Sequence, residues 1–156
     1  MHSLNNPIEL KKQLYAHCLE YVTQRIDTAK QAMEAAQTAA NEESKSSAGD
    51  KYETTRAMMQ IERDRHAAQL AEALKLKKEL ESLNVDKQYD KAQAGSLVIT
   101  DQNRFFLSIS AGKITLNKID YFAVSLNSPI GAQLLNLKAG SEFRFQNRAI
   151  QIKEVI

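Results

Sequence analysis

Apolar positions in the first half of the chain recur with a helical alternation. Tyr15, Leu19, Val22, Ile26, Ala29, Met33, Ala36 and Ala40 follow one another at steps of four and three. That alternation keeps one seam of an α-helix facing a partner helix. Pro7 suits a first helical turn, where its missing N–H costs nothing. From Asn41 to Gly49 the chain reads NEESKSSAG, too polar to continue the seam. A second helical pattern returns through Met59, His66, Leu70, Ala73, Leu76, Leu80 and Leu83. It is less regular, since Glu62 and Gln69 fall where a strict heptad is apolar. The spacing predicts two helices of about 33 residues, each roughly 50 Å long at 1.5 Å per residue. The polar segment becomes the tip of an antiparallel coiled-coil hairpin. The matched arm lengths favour pairing within the chain over a coiled coil between chains.

Beyond Asn84 the period changes. Short runs at Ser96–Thr100, Arg104–Ser110, Lys113–Leu116, Tyr121–Ser125, Glu142–Phe145 and Ala149–Val155 read as strands. Several alternate apolar and polar residues, the mark of a half-buried strand. Between them Ser128-Pro129-Ile130-Gly131-Ala132-Gln133-Leu134-Leu135 predicts one short helix, capped by Ser128 and pre-set by Pro129. The organisation is α+β: a hairpin over 1–84, a polar linker over 85–94, and a small antiparallel β domain with one helix over 95–156.

Composition narrows what such a chain does. It carries 21 basic and 19 acidic side chains, so a bulk positive field does not drive nucleic-acid binding. The single Cys18 cannot form an internal bridge, which suits a reducing compartment and a cytoplasmic location. No apolar run reaches the ~18 residues of a membrane span. His2, His17 and His66 form no metal-ligand spacing, and neither a Gly-rich phosphate loop nor a nucleophile elbow is present. Cys18 reads as an inert small hydrophobe, and Phe105, Phe106, Tyr121, Phe122, Phe143 and Phe145 as sheet core. The chain shows no catalytic site of its own. Asp50 and Glu53 have the spacing of a capping box at the start of the second helix, where the helix dipole also favours carboxylates. Lys45, Lys51 and Arg56 lie close by in sequence, on a face where basic residues are ordinarily just solvated.

The run Ala123-Val124-Ser125-Leu126-Asn127-Ser128-Pro129-Ile130-Gly131, with Leu134 and Lys138-Ala139-Gly140-Ser141-Glu142-Phe143, resembles the C-terminal signature of the Gre family of transcription elongation factors. Those factors likewise pair an N-terminal helical hairpin with a small FKBP-like domain in about the same total length. The resemblance implies transcription elongation, RNA polymerase binding and DNA binding. It implies docking through the region of Ser128, Pro129, Ile130 and Gly131 at the rim of the polymerase secondary channel, with the hairpin inside. Gly49-Asp50-Lys51-Tyr52-Glu53 keeps the family's spacing of tip acids. Asp50 and Glu53 would then help the polymerase hold a second Mg²⁺ and cleave backtracked RNA. The chain itself would be an accessory factor rather than an enzyme, a monomer without bound cofactor or metal, meeting the nascent RNA 3′ end only indirectly. The alternative is a channel-binding regulator or inhibitor that does not stimulate cleavage. An isomerase role for the FKBP-like module ranks low, because the strand spacing leaves little chain for pocket flaps and there is no Trp.

Overall fold

The computed structural model describes residues 6–46 and 50–156, with side chains described outside 43–52. Two long helices come first, α1 (Pro7–Ser46) and α2 (Asp50–Glu81). Six strands follow, β1 (Leu97–Thr100), β2 (Arg104–Leu107), β3 (Gly112–Leu116), β4 (Ile119–Val124), β5 (Glu142–Phe145) and β6 (Arg148–Val155), with helix α3 (Pro129–Leu134) between β4 and β5. The architecture is α+β, a helical pair followed by a mixed sheet. By compactness the chain divides into Tyr21–Lys77 and a second unit joining the residues up to Glu20 with Lys78–Ile156.

In the unit Tyr21–Lys77, Val22, Ile26 and Ala29 of α1 and Ala73 of α2 are buried. Met33, Ala36, Ala40, Met59 and Leu70 are half-buried. Ala29 shares a cleft with Gln69, and Ala40 shares one with Met59. Position numbers thus fall on one helix as they rise on the other, so the two run in opposite directions. At 1.5 Å per residue each helix extends about 40 Å within this unit. The polar segment does not end the first helix where its composition suggested. α1 continues through Asn41–Ser46, and only 47–49 separate the helices. Glu and Lys are good helix formers, and a solvated helix end needs no apolar seam to propagate.

The other unit is built on the sheet, in the order β3-β4-β2-β1-β6-β5. The expectation of a wholly antiparallel sheet is corrected here, because β2 pairs with β4 in parallel, Phe105 opposite Phe122 and Leu107 opposite Val124. After β2 the chain crosses to the sheet edge as β3 and returns antiparallel as β4, which inserts beside β2 in the same direction. Two hairpins close on two-residue turns with positive φ at both positions, Asn117-Lys118 and Gln146-Asn147. This mirror-image turn matches the right-handed twist of the strands it joins.

Alternation along the strands sorts their side chains onto two faces. One face gathers Val98, Phe105, Leu107, Phe143, Ile150 and Ile152 into a core with Leu134 of α3 and Ala92 of the connector. Leu97, Phe106, Tyr121 and Ala123 belong to the opposite face and are also buried, as are Leu10, Leu14 and Cys18 of α1 and Leu80 of α2. The stripe Leu10-Leu14-Cys18 recurs every fourth residue, so the first turns of α1 bury a face beside the seam read from the sequence. Cys18 Sγ lies 3.7 Å from Ser108 Oγ at the end of β2. Burial pushes the Cys18 thiol above its usual pKa, with the Ser108 hydroxyl acting in the opposite sense. A protonated, enclosed thiol is no nucleophile.

The polar connector 85–94 is fastened to the sheet module. Ala92 N–H donates to Leu137 O and Asn136 N–H to Ala92 O, both at 2.8 Å. Tyr89 Oη donates to Asn84 O at 2.9 Å. At its centre sits Lys11, fully buried. Its ammonium donates to three backbone carbonyls, Lys87 O, Gly95 O at 3.1 Å and Ile156 O at 3.3 Å. It also lies 4.8 Å from the centre of the Tyr89 ring. Three protons find three acceptors from three stretches of chain, which is how a buried cation is tolerated. Burial lowers its pKa from 10.5 to about 8, with Asp86 pulling the other way.

Candidate functional site

Two regions carry the residues singled out from the sequence. The first is the junction of the helices. Asp50 is the first residue of α2, so positions 50 and 53 lie one turn apart near the start of that helix. Glu53 is exposed. The side chains of Asp50, Lys45 and Lys51 lie outside those described. A polar cleft of about 200 Å³ opens close behind, where Gln37 and Asn41 of α1 face Arg56, Gln60 and Arg63 of α2. Gln37 Nε2 donates to Asn41 Oδ1 at 3.2 Å, and Gln60 Nε2 to Asp64 Oδ1 at 3.1 Å.

Further along α2, the polar residues that interrupt the heptad form a set of their own. His66 Nε2 is 3.5 Å from Glu62 Oε2, and its Nδ1 is 3.0 Å from Gln69 Oε1. Glu62 also pairs with Arg65 at 2.7 Å. All of these partners lie on one helix, three or four residues apart, where each pair contributes only about 0.3–0.5 kcal/mol. Among the described residues no three His, Cys, Asp or Glu side chains converge as a metal site.

The second region is the turn into α3. Ser128 takes an extended conformation, φ −75° and ψ 158°, and its Oγ accepts from Gly131 N–H at 3.1 Å. The same hydroxyl donates to Ser125 O at 2.5 Å, while Ser128 N–H donates to that oxygen at 3.0 Å. Pro129 opens the helix. Gly131 is buried over this turn so closely that an added Cβ would lie 2.0 Å from Ser125 O and 2.9 Å from Leu126 Cα. Ser128, Pro129 and Gly131 are therefore accounted for by building the turn. Ile130 directs a partly buried side chain toward the core.

Sequence reasoning located the cap and the first turn of α3 but missed two features. One is Asn6, whose Oδ1 accepts from Glu9 N–H at 3.2 Å just before Pro7. The Asn-Pro pair ahead of the apolar stripe was the signal for it. The other is Lys11, which nothing local distinguishes from its neighbour Lys12, a side chain that is half exposed and 3.4 Å from Asp86. No described helix is long and apolar enough to cross a membrane. No protein-family model matches the chain, and no curated protein matches it either.

Proposed function

We propose that the chain is a Gre-like transcription elongation factor that binds bacterial RNA polymerase at the secondary channel and stimulates cleavage of backtracked RNA. One observation carries the reading. A helical pair places positions 50 and 53 beside its junction, and the same chain continues into a sheet module whose α3 is built on Ser128-Pro129-Ile130-Gly131. In this reading the module is FKBP-like and docks through that region, and the hairpin enters the channel.

Hard oxygen donors suit Mg²⁺, which protein sites commonly hold through one or two carboxylates, with waters and substrate oxygens completing the shell. Exposed Glu53, with Asp50 one turn away, is a donor set of that kind, too small to retain an ion alone. The ion therefore belongs to the polymerase active site, where a second Mg²⁺ supports phosphodiester hydrolysis. The chain's own part is to bring two carboxylates to that place and hold them there. The start of α2 favours both as anions. Thr54-Thr55 follow Glu53 without a further acid. That favours, as a second reading, a channel-occupying regulator that leaves cleavage unstimulated.

Stalled, backtracked polymerase complexes with 3′-labelled RNA separate the two. The leading reading expects release of short 3′ fragments on adding the chain, and loss of that release with Asp50→Ala or Glu53→Ala. The regulator reading expects equal polymerase binding, no fragments, and indifference to both substitutions. Absence of binding refutes both.

A further inference from the structure

Within the unit Tyr21–Lys77 the two helices leave a cleft of about 370 Å³ between them. Tyr21, Gln24, Arg25 and Thr28 of α1 line it with Gln69 of α2, and the buried Ala29 lines it as well. Tyr21 is half-buried and the other four polar residues are exposed, so a solute reaches them directly. No carboxylate lines the cleft, although Glu20, Asp27 and Glu72 are close in sequence.

Gln69 is one of the two polar residues that break the apolar seam of α2, and its hydrogen-bond partner decides what it offers. His66 Nδ1–H donates to Gln69 Oε1 at 3.0 Å. That engages the carbonyl end of the amide and leaves its NH₂ end for other partners. Glu62 Oε2, 3.5 Å from the far ring nitrogen, steadies the imidazole. On α1, Arg25 Nη1 donates to Tyr21 Oη at 3.4 Å, and the guanidinium carbon lies 5.7 Å from the centre of the Tyr21 ring. Stacking on the ring holds the guanidinium in place. The phenol oxygen accepts on its Arg25 side, which turns its own proton away from the arginine.

The lining is therefore rich in donors: one guanidinium, two amide NH₂ groups and two hydroxyls. Such a set selects an oxyanion. Five donor-bearing groups exceed the roughly four lone-pair sites of a single carboxylate, whereas a phosphate monoester brings three strong acceptor oxygens and a charge near −2. Size adds a limit. Cofactor-sized pockets begin at about 300 Å³. With water occupying about 30 Å³, this cleft holds the equivalent of about 12 molecules, which leaves room beside a phosphate for an organic body against Ala29.

We infer that the cleft binds a small organic phosphate monoester, with Arg25 and the Gln69 amide on its phosphate oxygens. Tyr21, Thr28 and Gln24 complete the donor set. The site is independent of the polymerase reading, since every residue in it belongs to the helical pair.

Titration of the full chain followed by calorimetry and phosphorus NMR, at constant ionic strength in chloride buffer, tests it. The probes are inorganic phosphate, glucose 6-phosphate and adenosine monophosphate, which separate a bare anion, a sugar phosphate and a nucleotide. At least one monoester is expected to bind saturably with Kd between about 0.01 and 1 mM, about tenfold tighter than inorganic phosphate. Arg25→Gln and Gln69→Leu are each expected to weaken it about tenfold, a loss of about 1.4 kcal/mol. Gln69→Leu restores an apolar heptad position and so keeps the helices paired; far-ultraviolet circular dichroism confirms it for both variants. Lys30→Gln removes the same charge next to Ala29 but outside the lining, and is expected to bind as wild type does. No saturable binding of any probe below about 20 mM, or inorganic phosphate bound as tightly as the monoesters, overturns the inference. So does Arg25→Gln within twofold of wild type, or Lys30→Gln weakened as much as Arg25→Gln.

Discussion

Replacing Gly131 with alanine puts a methyl group where the backbone leaves no room. The new Cβ would sit 2.0 Å from Ser125 O. Even weak C–H···O contacts keep carbon and oxygen about 3.3 Å apart, so α3 and the Ser125 turn must separate by more than 1 Å. The opposing atoms are backbone and cannot swing aside as a flexible side chain would. Forced overpacking of this kind costs about 1–3 kcal/mol. Ser125 O also accepts from Ser128 N–H and Ser128 Oγ, and displacing it endangers two hydrogen bonds worth about 1 kcal/mol each. Against this, alanine is a better helix former than glycine by about 1 kcal/mol. The net expectation is a loss of about 2–4 kcal/mol. Urea unfolding followed by far-ultraviolet circular dichroism and tyrosine fluorescence measures it, since the chain has five Tyr and no Trp. Ser128→Ala provides the scale, with about 1 kcal/mol expected for a lost cap. A Gly131→Ala protein as stable as wild type, or more stable, refutes the close-approach argument.

Lys11 gives a pH signature of unusual sign. Its folded pKa, about 8, lies below the ordinary 10.5, so the unfolded chain binds more protons between those values. Stability from this group therefore rises as pH climbs from about 8 to 10.5, by up to about 3 kcal/mol. Burial raises the pKa values of Tyr15 and Cys18, and their contributions fall with pH instead. The wild-type curve minus that of Lys11→Met isolates the lysine in denaturant titrations at pH 7.5 and 9.5. A difference that is flat or falls with pH contradicts the burial argument. Lys118 holds φ at 66° in the turn between β3 and β4. Lys118→Gly is expected to stabilise by about 0.5–1 kcal/mol, because the left-handed region costs a side chain about 1–2 kcal/mol and the greater freedom of glycine in the unfolded chain takes back about 0.5–1 kcal/mol; thermal unfolding checks it, and a lower midpoint argues that the lysine contributes more than its backbone conformation.

What was legible in the sequence follows from where the cause lies. The α3 cap is local, and Ser128-Pro129 declared it. Alternation placed β5 and β6 within a few residues, because one face of each is buried, whereas β1 and β2, covered on both faces, were legible only as short apolar runs. The parallel pairing of β2 with β4 left no trace, since alternation is the same whichever neighbour a strand takes. Polar composition ended the first helix too early, because burial and helicity are separate properties at a solvated end such as Asn41–Ser46. The seam through Tyr15 and Leu19 was displaced by one residue near its start, where Leu14 and Cys18 are the fully enclosed positions. There the first turns of α1 have the sheet module to cover as well as α2. Lys11 was invisible for the same reason: its three acceptors lie 76, 84 and 145 positions away. At the tip, Asp50 and Glu53 were legible as a spacing, and Glu53 as an exposed side chain follows from its place on a solvated helix.

Insertion of the helical pair into the polymerase is the claim on which the functional account stands. A photo-activatable cross-linker at position 53, with a second at position 64 for comparison, reads it directly on purified bacterial polymerase. The account expects position 53 to cross-link to the catalytic-subunit segments that surround the active-site Mg²⁺, and to be outcompeted by excess unlabelled chain. Cross-links confined to the outer surface of the polymerase, or none at all, would contradict it.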